Sequence, residues 1–402
     1  MNKIILFLSF FLFTQSLFSQ QKSDKSTDEN DKISSIIFGG TVENLKNETK
    51  LSLLDYKKNN LLFFNVVINE KTYLFLYDTG ATITLVSDEI GKNEIAKGKI
   101  SLKDGYDKKK DGSLITKDIY LNTVCFKNTG CVVVDLVALR KKSCLHIDGI
   151  IGDNLINLCN WKINPIEESI YFSNEPFVAP SNSKIIDLEF YSKSIPLVSL
   201  SIDQKPFWAS IDTGFSGNFI LNQEYFFKLK KSKKTTLKSG YGNYYATIGD
   251  YTEHQIYKGV LDTIYAGKEK LINIKTVIDI GKPSVGINFF RDYITVFNFK
   301  EKKMFLTSIE NPTQPDDSEF NLNYGFNDSN ELIVQFLWDD SEIKKQNIKI
   351  SDKIISINGI NCENIDLENY CQIRHELKKS KILTLILKRN SKTFEVSITK
   401  KE

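Results

Sequence analysis

Motifs for the commonest hydrolases and nucleotide enzymes are missing from these 402 residues. H-E-x-x-H, G-x-S-x-G and a phosphate-binding G-x-x-x-x-G-K-[ST] are all absent. Histidine is scarce: His146, His254 and His375 are scattered, and each reads as structural. Cys144-Leu145-His146 is too sparse for a zinc site. No metal or cofactor is therefore expected. An excess of one charge is missing too. Lys+Arg number 53 against 50 Asp+Glu, a formal +3, which gives no reason to expect a nucleic-acid partner. The short runs Lys108-Lys109-Lys110 and Lys230-Lys231-Ser232-Lys233-Lys234 read as solvated loops or helix ends. After the first twenty residues no apolar run is long enough to span a bilayer.

The N-terminus carries the one long apolar run. Lys3 precedes Ile4 to Phe13, and a more polar exit follows to Gln20. That pattern is a signal peptide over 1–20, so an exported, periplasmic or extracellular location is expected, with no membrane span after its removal. Residues 21–45 are rich in Ser, Lys, Asp and Asn and read as a flexible leader. Export permits disulfides among the six cysteines. A Cys125–Cys131 bridge across Asn128-Thr129-Gly130 and free buried thiols are both open.

The most informative feature is a repeat. Asp78-Thr79-Gly80 follows the apolar run Tyr73 to Tyr77, and Asp212-Thr213-Gly214 follows Phe207 to Ile211. The acids are 134 residues apart (212 − 78 = 134), as are Gly152 of Ile150-Ile151-Gly152 and Gly286 of Ser284-Val285-Gly286. The match extends to hairpin turns at Asn69 and Asp203, and to the pairs Asn154/Asn288 and Asn164/Asn298. One Asp-Thr-Gly is expected by chance roughly 0.1 times in such a chain, so two in register imply a duplicated lobe.

The residue types suit a shared-proton acid pair. Each acid ends an apolar strand, where glycine lets backbone N–H groups approach a carboxylate. Threonine can hydrogen-bond across to the partner lobe. Two aspartates held together cannot both ionise, so the pair keeps one proton. The ionised member can activate a water, and the protonated one can donate to a scissile carbonyl.

Leu76-Tyr77-Asp78-Thr79-Gly80-Ala81, Ser210-Ile211-Asp212-Thr213-Gly214 and the two later glycine landmarks resemble the aspartic peptidase clan. The likeness is closer to retropepsin-like bacterial enzymes than to pepsin, and covers about residues 50 to 310. It implies two β-barrel lobes, 46–175 and 183–310, with Asp78 and Asp212 as the dyad. Thr79, Gly80, Thr213 and Gly214 would support it. A flap is implied after each acid, with Gly105 and Tyr106 as one candidate and Gly240 and Tyr241 as the other. Ala81 and Phe215 stand where pepsins commonly place a hydroxyl residue. Loss of that donor should raise the dyad's pKa values, and bulky Phe215 raises the question of a degenerate second lobe.

Pro312 and Pro315 mark a linker, and 319–400 has another grammar. Strands are expected at Leu332–Trp338, Ile350–Ile357, Ile382–Leu387 and Thr393–Ile398. Tyr370, Ile373 and Leu377 give helical spacing over Glu368–Lys378. This small α+β sandwich resembles a PDZ domain, through Tyr324-Gly325-Phe326 and Ile350-Ser351-Asp352-Lys353-Ile354 leading to Asn358-Gly359. The resemblance implies a loop at Tyr324-Gly325-Phe326 that would hold a peptide's terminal carboxylate. The expected whole is mainly β: an exported aspartic endopeptidase acting on protein or peptide. The alternative is a catalytically inactive peptidase-like scaffold whose PDZ module binds peptide termini.

Overall fold

Two hairpins set the plan of the molecule. Asn69 (φ 49°) and Glu70 (φ 63°) turn one, and Asp203 (φ 50°) and Gln204 (φ 63°) turn the other. Two successive positive φ values make the tight turn that matches the twist of paired strands. The structure is a computed structural model that describes residues 24–45, 48–56, 61–103, 109–137, 140, 144, 146–192, 194–229, 237–244, 252–310, 320–327, 329–377 and 379–401. With 54% strand and 15% helix it is mainly β, and it contains two closed β-barrels.

The first lobe contains β1 (Thr41–Glu43), β2 (Thr49–Ser52), β3 (Phe63–Ile68), β4 (Lys71–Tyr77), β5 (Thr84–Val86), β6 (Gly98–Lys103), β7 (Lys109–Leu121), β8 (Val124–Val133), β9 (Gly149–Ile151), β10 (Asn160–Asn164) and β11 (Ser169–Ser173). Pairing runs β8-β5-β9-β4-β3-β7, and β7 returns to β8 to close the barrel. The second lobe contains β12 (Lys184–Tyr191), β13 (Ile195–Ile202), β14 (Lys205–Asp212), β15 (Phe219–Asn222), β16 (Lys238–Tyr244), β17 (Thr252–Ala266), β18 (Glu269–Asp279), β19 (Ser284–Gly286), β20 (Tyr293–Asn298) and β21 (Lys303–Ser308). Here β13-β14-β19-β15-β18-β17 closes when β17 meets β13. The spacing seen in sequence recurs in space: helix Asp153–Ile156 follows β9 as helix Ile287–Phe290 follows β19.

A six-stranded antiparallel sheet, β2-β11-β10-β20-β21-β12, joins the lobes. At its centre β10 pairs with β20 through Trp161↔Phe297 and Ile163↔Thr295, all four buried. Burying side chains of that size from both lobes makes the two barrels one hydrophobic unit.

The C-terminal domain has β22 (Leu322–Phe326), β23 (Leu332–Trp338), β24 (Lys353–Ile357), β25 (Ile360–Asn361), β26 (Ile382–Arg389) and β27 (Lys392–Thr399). Its long helix spans Leu367–Leu377 and buries Tyr370, Ile373 and Leu377, the face expected from their spacing. That face packs against Leu332, Val334, Ile354 and Leu385 in a core of its own. Among the described residues no helix is long and apolar enough to cross a membrane. The signal stretch 1–20 and the linker prolines Pro312 and Pro315 lie outside the described residues.

One expectation is corrected. The leader expected to be flexible over 21–45 contains a helix, Asp24–Phe38, and strand β1, which pairs with β8. Polar composition suggested a solvated tail, but Ile37 is buried in the first barrel's core, with Ile33 and Ile36 packed on it. Asn154 also donates to the Ile37 carbonyl (3.0 Å). Of the two open readings for Cys125 and Cys131, free buried thiols hold; Cys159 and Cys362 are also free and buried, and Cys144 pairs with Cys371. The bond fastens the first lobe to the Leu367–Leu377 helix.

Candidate active site

Strand β4 delivers Asp78 and β14 delivers Asp212, and each strand is gripped in parallel by the strand that carries the glycine landmark. Tyr77 pairs with Ile151 in one lobe, and Asp212 with Gly286 in the other. The Asp78 N–H donates to the Ile151 carbonyl (3.0 Å). These positions bury both acids completely.

The two Asp-Thr-Gly loops are laced together by their threonines. The Thr79 N–H donates to Thr213 Oγ1 (3.0 Å), and the Thr213 N–H to Thr79 Oγ1 (3.1 Å). Each hydroxyl then donates across the lobe boundary: Thr79 to the Ile211 carbonyl (2.8 Å) and Thr213 to the Tyr77 carbonyl (3.0 Å). Four reciprocal bonds between buried groups fix the separation of the two acids, because any slippage would leave donors unpaired.

The carboxyls are held unequally. Asp78 Oδ1 accepts from Gly80 N–H (2.8 Å) and from Gly214 N–H of the other lobe (3.2 Å). Asp212 Oδ1 accepts from Phe215 N–H (3.0 Å). The other oxygens, Asp78 Oδ2 and Asp212 Oδ2, are buried and find no donor among the described residues. Each acid alters the other's hold on a proton, as expected of two carboxyls that cannot both ionise. Burial is the main force that raises both pKa values; for Asp212 the negative charge of Asp78 adds to it. Backbone donors oppose the rise at both acids. Two N–H donors on Asp78 against one on Asp212 favour the anion on Asp78, with the titration belonging to the pair.

Phe215 is housed by glycines. Its side chain is buried, and its ring turns onto Gly217 and Gly286. A methyl group on Gly217 would lie 2.1 Å from its Cζ, and one on Gly286 2.4 Å from its Cδ1. The bulk that raised doubt about the second lobe is absorbed by two glycines, and the Phe215 backbone still serves the carboxylate.

One buried acid escaped the sequence reading. Asp153 opens the short helix after Gly152, and its N–H donates to the Ala81 carbonyl beside the first acid (2.7 Å). Its side chain is fully buried with both oxygens unpartnered. Burial raises its pKa well above the carboxylate range, and the charges of Asp78 and Asp212 add to that. The repeat places Ile287 at the equivalent position, so an acid opposite an isoleucine was the available signal. Tyr77, whose hydroxyl is also unpartnered, feels the Asp153 charge while its ring packs 4.9 Å from Trp161.

The remaining candidates are placed as follows. Gly105 and Tyr106 lie outside the described residues. Gly240 and Tyr241 lie on β16, which pairs with β17 on one edge and with β23 of the C-terminal domain on the other. Tyr324, Gly325 and Phe326 are not a loop, which corrects that expectation. They form strand β22, paired with Val334, Ile333 and Leu332. The Phe326 and Tyr324 rings pack against Tyr370 of the helix at 4.8 and 6.3 Å, and this aromatic packing holds the segment extended. No family model matches the chain, and no curated protein matches it.

Proposed function

We propose that this chain is an aspartic endopeptidase in which Asp78 and Asp212 share a proton and activate water against a peptide bond. The observation that carries the reading is the pair itself: two buried carboxyls from duplicated lobes, locked by reciprocal threonine bonds, each with one oxygen left without a partner among the described residues. Asp78 takes a proton from the attacking water while Asp212 donates one to the scissile carbonyl. The crossed threonines keep the carboxyls in position without reorganisation during the reaction. The same reading covers export through the N-terminal apolar run, and a PDZ-like C-terminal domain that assists recognition of a protein or peptide partner.

The test is digestion of a peptide library by the wild type, Asp78→Asn and Asp212→Asn, with and without pepstatin. Cleavage by the wild type alone, blocked by pepstatin, is the expected result. Equal products from the wild type and both variants would exclude the dyad.

A further inference from the structure

Among the described residues, strand β16 extends the sheet of the second lobe into the C-terminal domain. Gly240 pairs with Trp338, Tyr241 with Leu337 and Gly242 with Phe336. The seam is prolonged by Asp339 N–H donating to the Ser239 carbonyl (2.7 Å). Both glycines are shaped to this contact. A methyl on Gly240 would lie 2.4 Å from the Phe336 ring and 2.6 Å from that of Trp338. On Gly242, at φ 145°, it would lie 2.2 Å from the Gln335 carbonyl oxygen. Glycine weakens a strand unless another chain must come close, and here β23 does.

The seam has its own apolar cluster: Ile256 of β17, Val277 of β18, and Phe336 and Trp338 of β23. The two rings meet edge to face at 4.9 Å. The Lys258 ammonium lies 4.3 Å from the Trp338 ring centroid, an attraction that strengthens as water is excluded. A two-stranded hairpin is marginal by itself. A third strand with a buried cluster behind it converts the open edge of β16 into an interior one.

We propose that Phe336 and Trp338 are positioning residues for peptide cleavage, through which the C-terminal domain holds β16, the strand of the second flap. This rests on the peptidase reading, which makes β16–β17 that flap. The domain's contribution is then mechanical: it fixes the height and tilt of a strand that substrate must pass beneath. β23 is paired on both edges, with β22 and β16, so no added peptide strand can compete for it.

The experiment uses the full-length chain with Phe336→Ala/Trp338→Ala, with Gly240→Val as an independent way of forcing the seam apart, and with Trp338→Phe as the conservative control. Hydrogen exchange of the β16 amides is read alongside kcat and KM. The two disruptive variants should exchange β16 at least tenfold faster, with β3–β4 and β26–β27 unchanged. KM should rise about tenfold with kcat nearly constant, and Trp338→Phe should behave as the wild type. Unchanged exchange at β16, or an unchanged KM, overturns the proposal while leaving the peptidase reading intact. A wild type that cleaves nothing removes the peptidase reading and this role together.

Discussion

Gly214 shows how narrow the tolerances at the acid pair are. A methyl there would lie 2.4 Å from Asp78 Cγ, so Gly214→Ala should abolish cleavage by pushing the carboxyls apart, as read in a single-peptide assay. Both acids titrate above the ordinary carboxylate range, chiefly through burial. The shared proton is thus retained as pH rises, and the pH–rate profile should peak well above pH ~2, toward neutral. A maximum near ~2 would contradict the site. Asp153 makes a stability prediction. Its folded pKa lies above its unfolded value of about 3.9. As pH rises the unfolded chain ionises first, so this group's contribution to stability is lost from about pH 4 upward, at about 1.4 kcal/mol per unit until the folded pKa is reached. Asp153→Asn should flatten that slope in denaturant titrations at pH 5, 6 and 7. An unchanged pH dependence would mean that Asp153 is not a neutral buried acid.

At the scale of elements, the two loops depend on each other. Thr79→Val deletes the donor to the Ile211 carbonyl and the acceptor for the Thr213 N–H. Leaving buried partners unpaired should cost on the order of 2–4 kcal/mol, measured as a lower denaturation midpoint, with Thr79→Ser recovering most of it. The β-hairpins and the Leu367–Leu377 helix were legible in the sequence because turn residues and apolar spacing are local properties. The acid pair was legible because the duplication wrote it twice. What could not be read was which edges meet. Tyr324-Gly325-Phe326 contains a turn-forming glycine, yet Tyr370, far along the chain, holds it as a strand. The polar leader likewise becomes a helix through three isoleucines whose partners lie in the first barrel. Gly240 stood as a flap candidate, and only the neighbours of Gly240 and Gly242 reveal a docking surface.

For the whole molecule, the described residues tie the C-terminal domain to the second lobe through the β16–β23 seam and to the first through the Cys144–Cys371 bond. The bond closes a span of 227 residues, and cross-links over long loops stabilise most by restricting the unfolded chain. Cys144→Ser/Cys371→Ser should lower stability by on the order of 3–5 kcal/mol, seen as a lower melting temperature, and reducing agent should do the same to the wild type but not to the variant. An equal response of both proteins to reductant would place the effect elsewhere. The same bond also imposes an order in time. A chain made from its N-terminus displays Cys144 long before Cys371 exists. Cys125, Cys131 and Cys159 are synthesised in the same early stretch, and in the finished fold all three are hidden inside the first lobe. A barrel that closes early around those thiols would leave Cys144 as the early sulfur still available to Cys371.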